Sequence, residues 1–313
     1  NLRLQYFSQI NNDQRLQGEL SQEMTLAENR FKLILAPEDL VVKNGEEVVY
    51  NLSYENGNQE SLDNLRFSFG SGLNSIRLIS SEPKLEAVDG QSWKLKNTLN
   101  YNQGGQARFA VVFKDKNELE QKLSLMAVAD YRLLDQELRY RVEAPIVKFF
   151  SRLSIKSGAY YYSPQGDQLG VGPIPPQVGR ITNYWIFWEI NNHGNALENF
   201  SLSAGLPEDV IWSGKKTIGA GTLRYNDVAQ KLSWELNSIS AESTPSEYYI
   251  GFEVSVLPTI DQLGKIIPLL DNIHYSTKDL FVGETMQGNL NDLSSNLDAD
   301  LLGRGRGQVV ESE

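Results

Sequence analysis

The stretch 179–257 constrains this chain more than any other, because it sets out the strands, turns and corner of one small β-sandwich in order. Tyr184, Ile186, Trp188 and Ile190 alternate with Trp185, Phe187 and Glu189, the two-residue period of a strand with one face turned inward. Asn192, Gly194 and Asn195 end that strand with turn chemistry. A second strand carries Leu197, Phe200 and Leu202 toward the corner at Leu206-Pro207, a later one carries Trp234, and the last shows Tyr248, Ile250, Phe252 and Val254 on one face. No amphipathic helix separates these strands, which favours antiparallel pairing over a parallel sheet.

The same pattern occurs earlier in the chain. Tyr54 and Ile190 are 136 residues apart, as are Asn56 and Asn192, while Leu62 and Leu197, Asn64 and Asn199, and Phe67 and Leu202 are each 135 apart. Trp93 precedes Phe109 by sixteen residues and Trp234 precedes Ile250 by sixteen, with Leu95 and Leu236 each two beyond the tryptophan. Two copies of one sandwich explain these spacings, and 313 residues are enough for two domains. The pattern predicts Trp93, Trp234, Tyr50, Tyr54, Ile186 and Trp188 as core anchors.

A glycine turn, a strand alternating around tyrosine, an Asn-Gly-type turn, a Leu-Pro corner, a Trp-x-Leu and a final alternating strand together resemble a known family. It is that of the immunoglobulin-like repeats of domain-of-unknown-function eleven and of the adhesion-related CARDB type. The resemblance covers about residues 31–114 and 179–258; GLPEDVIW at 205–212 is close to the family pattern, whereas the first copy has FSFGSG in place of the Leu-Pro corner. It implies a non-catalytic extracellular protein of a prokaryotic cell surface, with modules strung in tandem as spacers and as adhesive or structural units. It supplies no catalytic residues and no cofactor.

The resulting expectation is an all-β chain of two tandem immunoglobulin-like sandwiches with a short N-terminal helix and extended terminal segments. Residues 1–30 hold a strand and the helix, 31–147 the first sandwich, 148–284 the second, and 285–313 an extended polar tail. The helix rests on Leu16, Leu20, Met24, Ala27 and Phe31, spaced by three or four behind an Asn-Asn-Asp cap. It either lies on the first sandwich or connects like a stalk to something upstream. Leu2, Leu4 and Tyr6 alternate as a short strand with no hairpin partner in sequence, a candidate to assemble on a sheet edge of another copy and so build a filament or surface layer. Tyr160, Tyr161 and Tyr162, ahead of a Gly/Pro-rich run to Pro176, are a candidate binding surface for an adhesin-like function; the alternative is a strand with one exposed tyrosine and an ordinary loop. Prolines 145, 173, 175 and 176 are expected to hold the two sandwiches end to end.

Composition narrows the chemistry. With no cysteine, the chain has no thiolate nucleophile and no Cys-ligated metal, and with 29 basic against 40 acidic residues its net charge of −11 disfavours nucleic acid and anionic lipid. The expected partners are other copies or other surface proteins, with membrane contact, if any, only through an anchor outside the sequence; either the chain is not exported or its numbering starts after a leader or anchor was removed, and the start at Asn1 favours the second expectation. His193 and His274 are the only histidines, and no nucleophile elbow or phosphate loop is present. Asp298, Asp300 and Gly303 match three positions of a calcium loop, but Leu302 and Val309 fall where oxygen ligands are required.

Overall fold

A computed structural model describes residues 2–10, 13–22, 29–70, 72–114 and 119–312. Strands β1 (Leu2–Ile10) and β2 (Asp13–Gln22) open the chain. A first module follows with β3 (Phe31–Pro37), β4 (Val41–Val42), β5 (Val48–Asn56), β6 (Asp63–Phe69), β7 (Leu73–Glu82), β8 (Leu85–Asp89), β9 (Ser92–Leu95), β10 (Gly104–Phe113), β11 (Lys122–Leu123), β12 (Met126–Leu133), β13 (Gln136–Glu143) and β14 (Val147–Phe149). A second holds β15 (Arg152–Tyr160), β16 (Thr182–His193), β17 (Leu197–Gly205), β18 (Val210–Ile218), β19 (Thr222–Asn226), β20 (Lys231–Ile239), β21 (Tyr249–Val256), β22 (Pro268–Asp279), β23 (Thr285–Asn289) and β24 (Leu293–Ser294). The chain is nearly all β, and among the described residues there is no α-helix.

Each module has its own hydrophobic core between two antiparallel sheets, and the strand orders match. The first pairs β3-β5-β10-β7 in one sheet and β8-β9-β6-β12-β13 in the other; the second pairs β15-β16-β21-β18 and β19-β20-β17-β22-β23. Ring contacts such as Tyr54 to Phe67 at 4.8 Å and Phe69 to Phe109 at 4.7 Å join the two sheets of the first module. Tyr50, Tyr54, Trp93, Ile186, Trp188 and Trp234 are all in these cores, from 5% exposed at Trp93 down to none. Trp93 stands opposite Phe67 and Trp234 opposite Leu202, so both indoles occupy the same place in the same strand pair. Asn64 and Asn199 share a left-handed backbone, φ 56° and 53°, a conformation asparagine adopts more readily than most residues.

The matching spacing of the last strands does not survive intact. Phe109 lies opposite Tyr50, but Ile250 lies opposite Trp188, and the partner of Ile186 is Phe252. Since Tyr50 and Ile186 are the equivalent pair, Phe109 corresponds to Phe252; two extra residues in the loop before β21 shift the sixteen-residue match by one period of the strand, which keeps the same residues inward and hides the slip.

Four further expectations are corrected. The helix expected within 1–30 is absent over 13–22, where the chain forms β2; a spacing of four, as between Leu16 and Leu20, is even and therefore suits a strand as well as a helix. Met24 and Ala27 lie outside the described residues. The strand of Leu2, Leu4 and Tyr6 is not alone: Leu2 pairs with Gln22, Leu4 with Leu20 and Tyr6 with Gly18. The extended tail of 285–313 is part of the second module, with β23 on β22, Leu297 and Val309 buried in its core, and Val310 bridged to Gln177. Its sparse apolar residues suffice because each enters a core already formed by others.

The fourth concerns the linker. The Gly/Pro-rich run is not between the modules but caps the second one at the pole where β15 ends and β16 begins. The junction is two residues long. Phe150 belongs to the first module, donating its N–H to Val42 O and accepting from Asn44 Nδ2 at 2.7 Å, whereas Ser151 belongs to the second, donating its N–H to the buried Asp279 Oδ2 at 2.8 Å. Asp279 also accepts from Asn195 Nδ2 and from the N–H groups of Phe281 and Val282. Lys148 reaches across to Phe281, 2.9 Å from its carbonyl and 4.8 Å from its ring centre.

Candidate functional site

Alternation along β16 buries Tyr184, Ile186, Trp188 and Ile190 and so turns Trp185, Phe187 and Glu189 to the outer face of the four-stranded sheet. The register assembles what lies beside them. Tyr160, Trp185 and Glu253 form one row, Gly158, Phe187, Gly251 and Thr217 the next, and Lys156, Glu189 and Tyr249 a third. The rings of Trp185 and Phe187 are stacked, with centres 5.9 Å apart and planes at 20°, and Tyr160 meets Phe187 edge-on at 5.8 Å.

Glycines let these rings lie flat. A Cβ at Gly251 would fall 2.5 Å from Phe187 Cε1, one at Gly219 2.3 Å from Tyr249 Cε1, and one at Gly158 2.8 Å from Tyr160 Cε2 and 2.9 Å from Ala299 Cβ. Each ring therefore covers the bare backbone of a glycine, and the C-terminal segment borders the face at Ala299. All four aromatic residues are half-buried. Beside Trp185, the Glu253 carboxylate is almost fully buried and is met by Lys215, whose Nζ is 3.1 Å from Oε2 in hydrogen-bonding geometry and 3.0 Å from Oε1 without it. Burial, and then the nearby carboxylates of Glu189 and Asp300, push the Tyr160 phenol above its usual pKa, so the hydroxyl stays protonated as a donor.

The first module supplies an internal comparison. By register Glu38, Asn51 and Arg108 occupy the places of Tyr160, Phe187 and Gly251. There Arg108 pairs with Glu38 at 2.6 Å and Asn51 donates to the same carboxylate at 3.3 Å, while Arg77–Glu47 and Lys32–Glu55 extend the charged face. The same sheet is thus solvated and ionic in one module and aromatic in the other.

Of the three candidate tyrosines, only Tyr160 belongs to this face. Tyr161 is 3% exposed and its hydroxyl donates to Gly172 O; Tyr162 is half-buried against the core, its ring 5.0 Å from that of Tyr161. Both are fixed by Asp300, whose Oδ2 accepts their N–H groups at 2.7 Å each and whose Oδ1 accepts from Leu302 and Gly303. Burial works against this carboxylate, but the four N–H donors outweigh it and hold its pKa below the usual range. Asp300 is therefore a clamp between the C-terminal segment and the end of β15. Sequence reasoning missed Trp185, Phe187, Tyr249 and Glu253 as a group. Their signal was a strand whose outward positions are aromatic, where a half-solvated sheet ordinarily places polar residues.

His193 is near no chemistry of this kind: its Nδ1 is 2.9 Å from Glu242 on the surface, and His274 pairs with Asn289 at 3.0 Å. No group of three His, Cys, Asp or Glu residues able to hold a metal occurs among the described residues.

No family model matches the chain, and no curated protein sequence matches it. Among solved structures, a Vibrio cholerae VesB protease aligns at 13% identity and TM-score 0.26 over 39% of this chain and 32% of its own, and a GH20 exo-β-N-acetylglucosaminidase from Vibrio harveyi at 12% identity and TM-score 0.25 over 67% and 39%. The chain thus spans well under half the length of either, and likenesses this slight carry no argument about fold or activity.

Proposed function

We propose that this chain is a non-catalytic structural and binding protein of a prokaryotic cell surface, built from two tandem immunoglobulin-like sandwiches, whose second module docks a partner through its outer aromatic face. The observation that carries the reading is the replacement, at matched positions, of Glu38, Asn51 and Arg108 by Tyr160, Phe187 and Gly251. The fold does not require rings there, since the first module dispenses with them. Contiguous half-exposed aromatic surface on a sheet is characteristic of an interaction site. The surface location follows from the resemblance to tandem repeats of prokaryotic envelopes, and the short, hydrogen-bonded junction suits a spacer.

Hydroxyl-radical footprinting tests this, comparing the purified chain at low concentration with the chain in its native envelope. Tyr160, Trp185, Phe187 and Tyr249 are expected to be labelled in the first and protected in the second, with the charged face of the first module labelled in both. Equal labelling of the four rings in both settings would overturn the docking face.

A further inference from the structure

We propose that the pole of the second module remote from the junction is a docking surface for a second copy of this chain, the two copies meeting pole to pole about a two-fold axis. The pole is framed by hydrogen bonds. Beyond the last pair of β16 and β21, Thr182 with Val256, Gly179 N–H donates to Pro258 O at 2.9 Å. A 3-10 turn over Ile260–Gln262 follows, in which Thr259 N–H donates to Gln262 Oε1 at 2.9 Å and Gln262 Nε2 to Asp209 at 2.8 Å. Gly264 N–H donates to Val309 O and Val310 N–H to Pro176 O, at 2.9 Å each, and Ile266 is bridged to Gln308. Val256, Ile267 and Val309 point inward from this frame and are buried, so their neighbours Leu257, Ile266 and Val310 point outward, as do Ile181, Ile260 and Leu263; these six are 36 to 64% exposed. With the backbone bonded on both sides, the six side chains have no inward position to retreat to.

The fold does not require aliphatic residues there. Phe109 corresponds to Phe252, so Lys114 of the first module holds the place of Leu257. Lys148 holds that of Val310: each donates its N–H to the loop after its module's first strand, to Leu40 O and to Pro176 O, and each runs parallel to that loop, beside Val41 and Gln177. The first module thus carries lysines at the pole that faces the second module, and the second carries leucine and valine at the same places. Six aliphatic side chains about half exposed present roughly 400–500 Å² of apolar surface, at the upper end of what a lone monomer carries. An interface is about 60% apolar, so with its polar rim this patch corresponds to roughly 700–800 Å² per partner, the amount a dimer of standard size buries. The rim also suits a second copy. Arg180 and Lys265 stand exposed beside Asp261 and Glu311, two charges of each sign, which a two-fold rotation sets against their opposites. A bilayer would instead have to take up both carboxylates with the aliphatic side chains.

Two full-length variants test this: Leu257→Lys with Val310→Lys gives the pole its counterpart's residues, and Ile260→Asp places a charge at the most exposed of the six positions. In analytical ultracentrifugation the unaltered chain is expected to pass from monomer to dimer with rising concentration and to stop there, because an isologous contact closes on itself. Each variant is expected to raise the dimer dissociation constant at least tenfold, whereas Lys84→Glu, on the surface of the first module, leaves it unchanged. Circular dichroism and melting curves of the variants verify that the modules remain folded. An unaltered chain that stays monomeric up to its solubility limit, one that grows beyond a dimer, or variants that dimerise as the parent does would each overturn the proposal. So would a monomeric parent that sediments with phosphatidylcholine vesicles, which would make the pole a membrane-inserting surface. Radical labelling of Phe187 and Tyr249 is expected to be equal in monomer and dimer; rings protected on dimerisation would seat the second copy on the aromatic face and overturn the pole contact while leaving the docking face standing.

Discussion

Asn56 and Asn192 perform one task in the two modules. The amide of Asn56 donates to Glu60 O and Leu99 O at 2.9 Å each; that of Asn192 donates to Asn195 O at 2.8 Å and Ser240 O at 2.7 Å, the corresponding carbonyls. Both side chains are fully buried, and each ties the end of a central strand to a loop of the facing sheet. Replacing either by Ala removes the donor of two carbonyls, one of them in a buried bond, and is expected to cost roughly 2–4 kcal/mol in urea unfolding. A loss below about 0.5 kcal/mol at both sites would show that these bonds are not structural staples.

The two core tryptophans should respond unequally. Truncation of Trp93 or Trp234 to Ala is expected to cost about 3–5 kcal/mol. The Trp234 indole also donates to Ala220 O at 2.9 Å, so Trp234→Phe should remain destabilising by about 1 kcal/mol more than Trp93→Phe. Equal melting temperatures for the two Phe variants would contradict this.

At the junction, Asp279→Ala releases four donors, among them the N–H of Ser151. The modules should remain folded but lose their fixed relation. Small-angle scattering is expected to show a broader distribution of maximum dimension than in the parent, and limited proteolysis to cut near Phe150–Ser151. An unchanged scattering profile would locate the rigidity elsewhere.

Stability at acid pH should bear the mark of Asp300. Its folded pKa is depressed below the unfolded value near about 3.9, so its contribution is complete above that value and is lost as pH falls through the folded pKa. Asp300→Asn should therefore destabilise at neutral pH and flatten the acid limb of the stability curve. A parallel, merely lowered curve would rule out this assignment.

The alkaline limb has the opposite sign. Burial raises the phenols of Tyr50 and Tyr184, and pushes that of Tyr54 up to about 12. Stability from these neutral phenols is complete below an unfolded pKa near about 10 and is lost as pH rises from there through the folded values. Tyr54→Phe is expected to soften alkaline unfolding, monitored by ultraviolet absorbance of tyrosinate.

Strand periodicity made much of this architecture legible. The alternation of β16 and the spacing of Asn56 from Asn192 report cores and turns, because both depend on local backbone chemistry and on which residues must avoid water. The slip of Ile250 against Phe252 was invisible, since a two-residue shift preserves the face of every side chain. Leu16 and Leu20 carry an even spacing that suits either period, so only pairing with β1 distinguishes strand from helix. The aromatic face was half legible: Trp185 and Phe187 were visibly outward, but that Tyr160, Tyr249 and Glu253 stand beside them is a matter of register. Asp300 gave no sign of its clamp because its partners are backbone N–H groups 138 or more residues away as well as two or three.

Phe150 and Ser151 leave no spare chain between the modules, and this makes the junction a mechanical coupling. β14 runs parallel to β4, Lys148 beside Val41 and Phe149 beside Val42, so tension drawn along the chain from Ser151 loads those bonds together in shear instead of opening them one by one. On the other side the pull passes into the Asp279 carboxylate and the strand that carries it. A tether made this way would extend little before it ruptures, and the first event under load should be release of β14 from its module, not the straightening of a linker.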